Sequence, residues 1–181
     1  WHPKNILIVT NFPYRYNGIE ALVVPDDLYC EFCWPATKVY CIEYLLREGV
    51  ITDLCWYHDF DCFQLAPFDE PVLTTGDLGM TNYGRVSRLC SASIFFKPAA
   101  ADIFGRLKQE VIRTGCNEEV SMAWLLRDPS IAARFELLNV TYAMNRANIR
   151  PNYAAAIKPL KAAHFHLSSD KYDQFVLGRT V

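Results

Sequence analysis

Short apolar runs separated by turn residues predict buried strands in the first third of the chain. The runs are Ile6–Val9, Ala21–Val24 and a stretch from Val50 that ends in Asp59 and Asp61. Continuous apolar runs bounded by turn signals are typical of strands buried in a sheet. Between the first two runs, Phe12 to Gly18 carries turn residues and predicts a loop. The third run is the most informative, because a strand end is where open α/β sheets bind ligands.

Helical spacing predicts three helices. The first starts near Pro35, has Val39, Ile42 and Leu46 on one face, and ends near Gly49. The second starts at Pro98 and ends at Gly115. The third has Asn117 as its N-cap, with Glu118 and Glu119 in its first turn.

Three later segments are predicted strands, and one long segment is predicted to be irregular. The strands are Ser91–Phe96, Leu137–Ala143 and Ala162–Leu167, and the irregular segment is Cys62–Arg88. Strands that alternate with helices indicate an α/β fold with a mixed central sheet flanked by helices. The length of 181 residues favours a single domain covering residues 1–181.

Composition excludes several classes of protein. Hydrophobic residues make up 51% of the chain and charged residues 21%, which is typical of a globular protein. The net charge of −2 gives no electrostatic footprint for nucleic acid or an anionic membrane. No apolar run approaches the roughly 20 residues of a membrane helix. The seven cysteines are interpreted as reduced thiols, which places the protein in the cytoplasm.

The acidic pair is the leading candidate for chemistry. Asp59 and Asp61 lie two residues apart at a predicted strand end, so both carboxylates can reach one ion. Oxygen ligands suit Mg²⁺ or Mn²⁺ held jointly with substrate phosphates. The alternative is a solvated turn after the strand. His164 or His166 would complete the metal shell, since imidazole suits Mn²⁺, although either could be a structural histidine.

Further polar and aromatic side chains are candidates for substrate binding. Lys38 lies in the first turn of a predicted helix, whose N-terminus favours anions, and Lys171 could also contact a phosphate. Tyr14 or Tyr16 could stack on a base or a sugar. Glu118 and Glu119 could be catalytic carboxylates. The alternatives are surface lysines, packed loop tyrosines and an acidic first turn of a helix.

Several short motifs occur in the order found in one family. They are Thr10-Asn11 followed by Tyr14, Thr37-Lys38, Asp59-Phe60-Asp61, Cys90-Ser91 running into Pro98, Asn117-Glu118, Ala163-His164-Phe165 and Lys171. The chain thereby resembles the GT-A glycosyltransferases that use UDP-sugars, in particular the retaining glycogenin and galactosyltransferase group. Its short length is similar to that of the compact glycosyltransferase domain encoded by chlorella viruses, which would place it in the host cytoplasm.

The resemblance implies roles for these residues. Asp59, Asp61 and His164 would bind Mn²⁺ or Mg²⁺, and Tyr14 would stack on uracil. The remaining donor contacts would come from Thr10, Asn11, Lys38, Ser91 and Lys171. Asn117 and Glu118 stand where the family has Asp-Gln beside the reacting sugar, so they are the candidate catalytic residues. The departures are at Cys90 and Asn117-Glu118 and in the missing Lys-Pro-Trp after the late histidine.

The resemblance implies an enzyme that transfers a hexose, with glucose as the expected sugar, from a UDP-sugar to an acceptor hydroxyl. The acceptor would be a glycan or glycoprotein, and the anomeric configuration would be retained. Two alternatives remain from the residues alone. One is a metal-dependent phosphohydrolase built from His58-Asp59 with His164 and His166, and the other is a non-catalytic module that binds UDP or a sugar.

Overall fold

The computed structural model of the protein describes residues 2–68, 71–82, 88–145 and 149–165. The strands are β1 (Val9–Thr10), β2 (Arg15–Tyr16), β3 (Ile19–Glu20), β4 (Leu22–Val23), β5 (Cys55–His58), β6 (Cys62–Gln64), β7 (Leu78–Asn82), β8 (Leu89–Phe96), β9 (Phe135–Leu137), β10 (Met144–Asn145) and β11 (Ala162–His164). The helices are α1 (Thr37–Arg47), α2 (Ala101–Thr114), α3 (Glu118–Leu125), α4 (Pro129–Ala132) and α5 (Ile149–Ala155).

The largest sheet is mixed and is organised around β8. Its strand order is β5-β8-β7-β9, in which β8 pairs antiparallel with β5 and β7, and β9 pairs parallel with β7. Every residue of β8 is buried. Smaller sheets join β1 to β4, β2 to β3, and β10 to β11 and β6. The predicted α/β class with a mixed sheet flanked by helices is confirmed.

Alternating side chains of β8 build two apolar layers. Ile94 and Phe96 lie in the larger cluster, which includes Val39 of α1 and Ile103 of α2. Phe95 lies in a separate cluster with residues such as Leu73 and Leu138. Successive strand residues point to opposite faces of a sheet, so one strand contributes to both layers. Helix α2 packs against both α1 and α3, and α3 also contacts β8.

The three predicted helices are confirmed. They could be predicted because the residues that start and end them act through their own backbone preferences and need no distant partner. A short 3₁₀ turn containing Pro35 leads into α1, and another at Pro98 leads into α2. Helix α2 ends at Gly115, whose φ of 65° is left-handed and is readily adopted only by glycine. Asn117 caps α3 by accepting a hydrogen bond from the N–H of Val120 at 3.0 Å.

Several strand predictions are wrong in their bounds or type. The first strand is Val9–Thr10 rather than Ile6–Val9, and the acidic pair follows a strand that begins only at Cys55. The predicted strand Leu137–Ala143 is instead the end of β9 followed by a 3₁₀ turn at Val140–Tyr142. The segment predicted to be irregular contains β6 and β7. The predicted loop after β1 contains β2, which forms a hairpin with β3 around Asn17 and Gly18.

An irregularity in the β7–β8 pairing lies beside the acidic pair. Met80 pairs with Ile94, but the next residue, Thr81, pairs with Cys90. Residues 91–93 of β8 are therefore not opposed by β7. Bulges of this kind bend a strand and redirect its side chains, and they are common next to active sites. Within the described ranges, no helix has the length and apolar character needed to cross a membrane.

Candidate active site

The acidic pair lies in a tight turn at the C-terminal end of β5. The N–H of Asp59 donates to the carbonyl of Ala92 in β8 at 2.9 Å, which continues the strand ladder by one residue. The N–H of Cys62 then donates back to the carbonyl of Asp59 at 3.0 Å and closes the turn. Phe60, between the two aspartates, is fully exposed, whereas Asp59 and Asp61 are partly buried.

His164 lies against this turn because β11 pairs with β6. It is the last residue of β11 and lies opposite Cys62, and the N–H of Phe165 donates to the carbonyl of Asp61 at 2.8 Å. The His164 Nε2 is 3.3 Å from Asp61 Oδ1, and its Nδ1 is 3.7 Å from Cys90 Sγ. The ring is buried and directs one nitrogen towards the acidic pair.

Asp59, Asp61 and His164 form a candidate metal site. Each offers one ligand atom, and the three atoms lie within 4.8 Å of one another. Two carboxylates and one imidazole suit Mn²⁺, and they suit Mg²⁺ when substrate oxygens complete the shell. Burial, followed by the nearby charges of Cys90 and the aspartates, raises the pKa of the Cys62 thiol. The donor set of two carboxylates and one imidazole fits a hard divalent cation.

Lys38, in the first turn of α1, forms a salt bridge with Asp59. Its Nζ is 2.9 Å from Asp59 Oδ1 and 3.0 Å from Oδ2, and its side chain is only 8% exposed. The same ammonium is 3.4 Å from Glu118 Oε1 and 3.3 Å from the hydroxyl of Ser91. One buried lysine thus joins α1, the turn after β5, the irregular part of β8 and the start of α3.

Tyr57 completes the contacts of Asp59. Its hydroxyl donates to Asp59 Oδ1 at 2.6 Å. Burial, the charge of Asp59 and this hydrogen bond all raise the pKa of the Tyr57 phenol, so it remains a donor. Both oxygens of Asp59 therefore have partners inside the protein.

Glu118 and Glu119 surround Ser91 from the first turn of α3. The Ser91 hydroxyl donates to Glu118 Oε1 at 2.6 Å, and the Ser91 N–H donates to Glu119 Oε1 at 3.1 Å. Arg88 is 3.4 Å from Glu119 Oε2. Glu118 is 4% exposed, and its Oε2 has no hydrogen-bond partner among the described residues. A buried carboxylate oxygen in that state is a candidate contact for a ligand hydroxyl.

The loop after β1 carries the candidate nucleotide contacts. The Thr10 hydroxyl donates to the carbonyl of Phe12 at 2.6 Å, and the Asn11 amide donates to Asp26 Oδ1 at 2.9 Å. These bonds order the loop backbone. Tyr14 is 43% exposed and makes an edge contact with Phe12, so part of its ring is accessible to a ligand.

The structure brings most of the predicted site residues together. The central cluster contains Lys38, Asp59, Asp61, Ser91, Glu118 and His164. Asn117 instead uses its side chain to cap α3. Lys171 and His166 lie outside the described residues. The sequence analysis missed Tyr57, although its position two residues before Asp59 places both on one side of an extended chain.

Comparison with known proteins identifies the fold. No family model matches the chain, and no curated protein matches it. A solved glycosyltransferase involved in the glycosylation of the major capsid of PBCV-1 matches with a TM-score of 0.56 and 11% identity, over 80% of this chain and 76% of that chain. The apo form of the glycosyltransferase GlyE from Streptococcus pneumoniae TIGR4 matches with a TM-score of 0.54 and 12% identity, over 76% of this chain and 39% of that chain.

These similarities establish the class of fold. The protein has an α/β fold of the kind found in solved glycosyltransferases. The match covers most of the first of these proteins but only 39% of GlyE.

Proposed function

We propose that the protein is a glycosyltransferase that moves a hexose from a UDP-sugar to a hydroxyl of a glycan or glycoprotein acceptor. The proposed transfer depends on a divalent cation and retains the anomeric configuration. Glucose is the proposed hexose. The UDP, glucose and retention parts of the proposal rest on the motif resemblance.

The observation that carries the proposal is the cluster at the end of β5. Asp59, Asp61 and His164 offer oxygen and nitrogen ligands within 4.8 Å of one another, and a buried lysine lies beside them. Carboxylates that bind a cation, together with a lysine ammonium, suit a substrate that carries phosphates. A diphosphate leaving group has this character, and the chain has a fold found in glycosyltransferases.

One set of side chains is proposed to contact the UDP leaving group, and another is proposed to contact the sugar. A bound divalent cation supplies positive charge that stabilises the departing diphosphate. Lys38 would add a second positive charge from α1, and Lys171 is proposed to add another. Tyr14 is proposed to stack on uracil, and Thr10 and Asn11 order the loop that presents it.

Glu118 is the proposed participant on the sugar side. Its carboxylate is buried between Ser91 and Lys38, and one oxygen lacks a partner in the described part of the chain. This oxygen could accept a hydrogen bond from a sugar hydroxyl or stabilise positive charge that develops at the anomeric carbon. Ser91 is proposed to orient Glu118 through its hydroxyl. Asn117 would act through its cap, which fixes the first turn of α3.

The phosphohydrolase alternative is not favoured by the geometry. His58 is exposed, its ring packs on Trp56 at 4.5 Å, and its Nδ1 lies 3.0 Å from the backbone carbonyl of Asp59. The metal-ligand group found among the described residues does not include His58.

The proposal is tested by measuring release of UDP from UDP-glucose with Mn²⁺ present. We expect Mn²⁺-dependent release by the wild type and its loss in Asp61→Ala, because that change removes one of the cation ligands. Asp53→Ala is the matched control, since Asp53 is an exposed aspartate before β5. It should behave like the wild type.

Other results would reject parts of this proposal. Unchanged Mn²⁺-dependent release in Asp61→Ala would remove the metal role of the acidic pair. Release of phosphate or UMP in place of UDP would indicate the phosphohydrolase. Binding of UDP-glucose without turnover would indicate a non-catalytic module.

A further inference from the structure

We propose that Lys38 makes divalent-cation binding conditional on an anionic ligand such as the diphosphate of the donor. The inference rests on the proposed function in one respect, that Asp59, Asp61 and His164 are the cation ligands. It adds a role for the lysine beyond contact with the donor. In the ligand-free protein, Lys38 would act as an internal counter-cation that competes with the metal for Asp59.

The competition follows from the contacts of Asp59. Lys38 Nζ binds both carboxylate oxygens, at 2.9 and 3.0 Å, and Tyr57 donates to Oδ1 at 2.6 Å. A cation that binds Asp59 must therefore share an oxygen that already has a positive partner. Because Lys38 is almost fully buried, water screens the repulsion between the two positive charges poorly.

Glu118 provides the lysine with a second partner. Its Oε1 is 3.4 Å from Lys38 Nζ, and its Oε2 has no hydrogen-bond partner among the described residues. A small shift of the ammonium towards Glu118 Oε1 would free Asp59 and leave Oε2 available to the sugar. A diphosphate bound beside the cation would add the negative charge that allows both positive charges to remain.

Lys38→Met tests the inference by removing the charge while retaining an unbranched side chain. We expect the variant to bind Mn²⁺ without any nucleotide roughly tenfold or more tightly than the wild type, as measured by electron paramagnetic resonance of free Mn²⁺. The comparison is made without UDP because UDP itself chelates Mn²⁺. Lys38→Arg keeps the charge and should retain the weak affinity of the wild type.

Lys108→Met is the matched control, because Lys108 is also partly buried and pairs with a carboxylate, Glu43, at 3.2 Å. It should leave Mn²⁺ affinity unchanged. Adding Asp61→Ala to Lys38→Met should abolish the gain, which shows that the ion occupies the proposed site. If Lys38→Met does not fold, Lys38→Gln replaces it. The wild type is also titrated with Mn²⁺ with and without inorganic pyrophosphate, and because pyrophosphate chelates Mn²⁺, a protein-free titration with the same pyrophosphate is subtracted.

The outcomes separate this inference from the proposed function. Equal or weaker nucleotide-free Mn²⁺ affinity in the neutral variants, with Mn²⁺-dependent UDP release intact in the wild type, overturns the role of Lys38 alone. Equal affinity of the wild type for Mn²⁺ with and without pyrophosphate also overturns it. A wild type that neither binds Mn²⁺ in the presence of pyrophosphate nor releases UDP overturns both proposals.

Discussion

At the scale of single residues, the carboxylate of Glu118 is buried, which is unfavourable for a charged group. Burying an ionised group without full pairing is unfavourable. Oε1 accepts from the Ser91 hydroxyl at 2.6 Å and lies near Lys38, whereas Oε2 is unpaired within the described chain. Such a group in a native structure is a candidate for a functional contact.

Glu118→Gln should therefore lower kcat while the affinity for UDP is preserved. The amide keeps the size of the side chain but removes the negative charge that would act on the reacting sugar. We expect kcat to fall by about tenfold or more, measured beside the Kd for UDP. Glu110→Gln, in the ion pair with Arg113 on α2, is the control and should change neither value. A variant with normal kcat would leave Glu118 as a structural residue of α3.

At the scale of elements, the loop before β7 is shaped around Gly76 and Glu136. The Glu136 carboxylate accepts hydrogen bonds from the N–H groups of Thr74 at 3.2 Å, Thr75 at 2.6 Å and Gly76. Burial acts to raise the pKa of Glu136, but these donors outweigh it and lower the pKa. A Cβ on Gly76 would lie 2.9 Å from the backbone oxygen of Arg134, so the loop has no room for a side chain.

Gly76→Ala should destabilise the protein by about 1–3 kcal/mol, because backbone must shift to remove the clash. Gly105→Ala is the matched control, and we expect it to change the free energy of unfolding in the opposite direction. Gly105 lies inside α2 with nothing within 4 Å of an added Cβ, so alanine should stabilise the helix by about 0.5–1 kcal/mol. Urea unfolding of both variants measures the two free energies. Equal effects of the two changes would contradict the crowding at Gly76 and the open space at Gly105.

The elements that were predictable from sequence are those with local signals. Pro98, Gly115 and Asn117 mark helix boundaries by their own conformational preferences, and α2 and α3 follow them. Strand β7 was missed because its residues, Leu78–Asn82, are almost all buried and show no alternation. Its existence depends on pairing with β8 and with β9, which lies more than fifty residues further along the chain. The Asn17-Gly18 turn was a detectable hairpin signal, but its flanking strands are only two residues long.

At the scale of the whole molecule, the site is assembled from distant parts of the chain. Lys38, Asp59, Glu118 and His164 come from four separate segments that meet beside the irregular part of β8. Motif order was sufficient to name these residues one by one. The bridge from Lys38 to both Asp59 and Glu118 could not be predicted, because it depends on how α1 and α3 pack against β8.

Stability of the whole molecule should respond to a ligand that joins these segments. On the proposed function, UDP with Mn²⁺ would bind only the native state, so at a hundred times its Kd it should stabilise the protein by about 2.7 kcal/mol. For a chain of this size, that corresponds to a rise in Tm of about 5–11 °C. UDP with EDTA should give a much smaller rise, because the cation proposed to bind the acidic pair is then removed.

The same measurement tests whether the loop after β1 belongs to the nucleotide site. Tyr14→Ala should weaken UDP by about tenfold through loss of stacking on uracil. At the same ligand concentration the rise in Tm should then fall by about half, since roughly 1.4 kcal/mol of binding free energy is lost. Tyr16→Ala is the control, because Tyr16 is an exposed tyrosine two residues along the same hairpin. A reduced shift in Tyr16→Ala with a normal shift in Tyr14→Ala would assign the stacking contact to Tyr16, and normal shifts in both would remove this loop from the site.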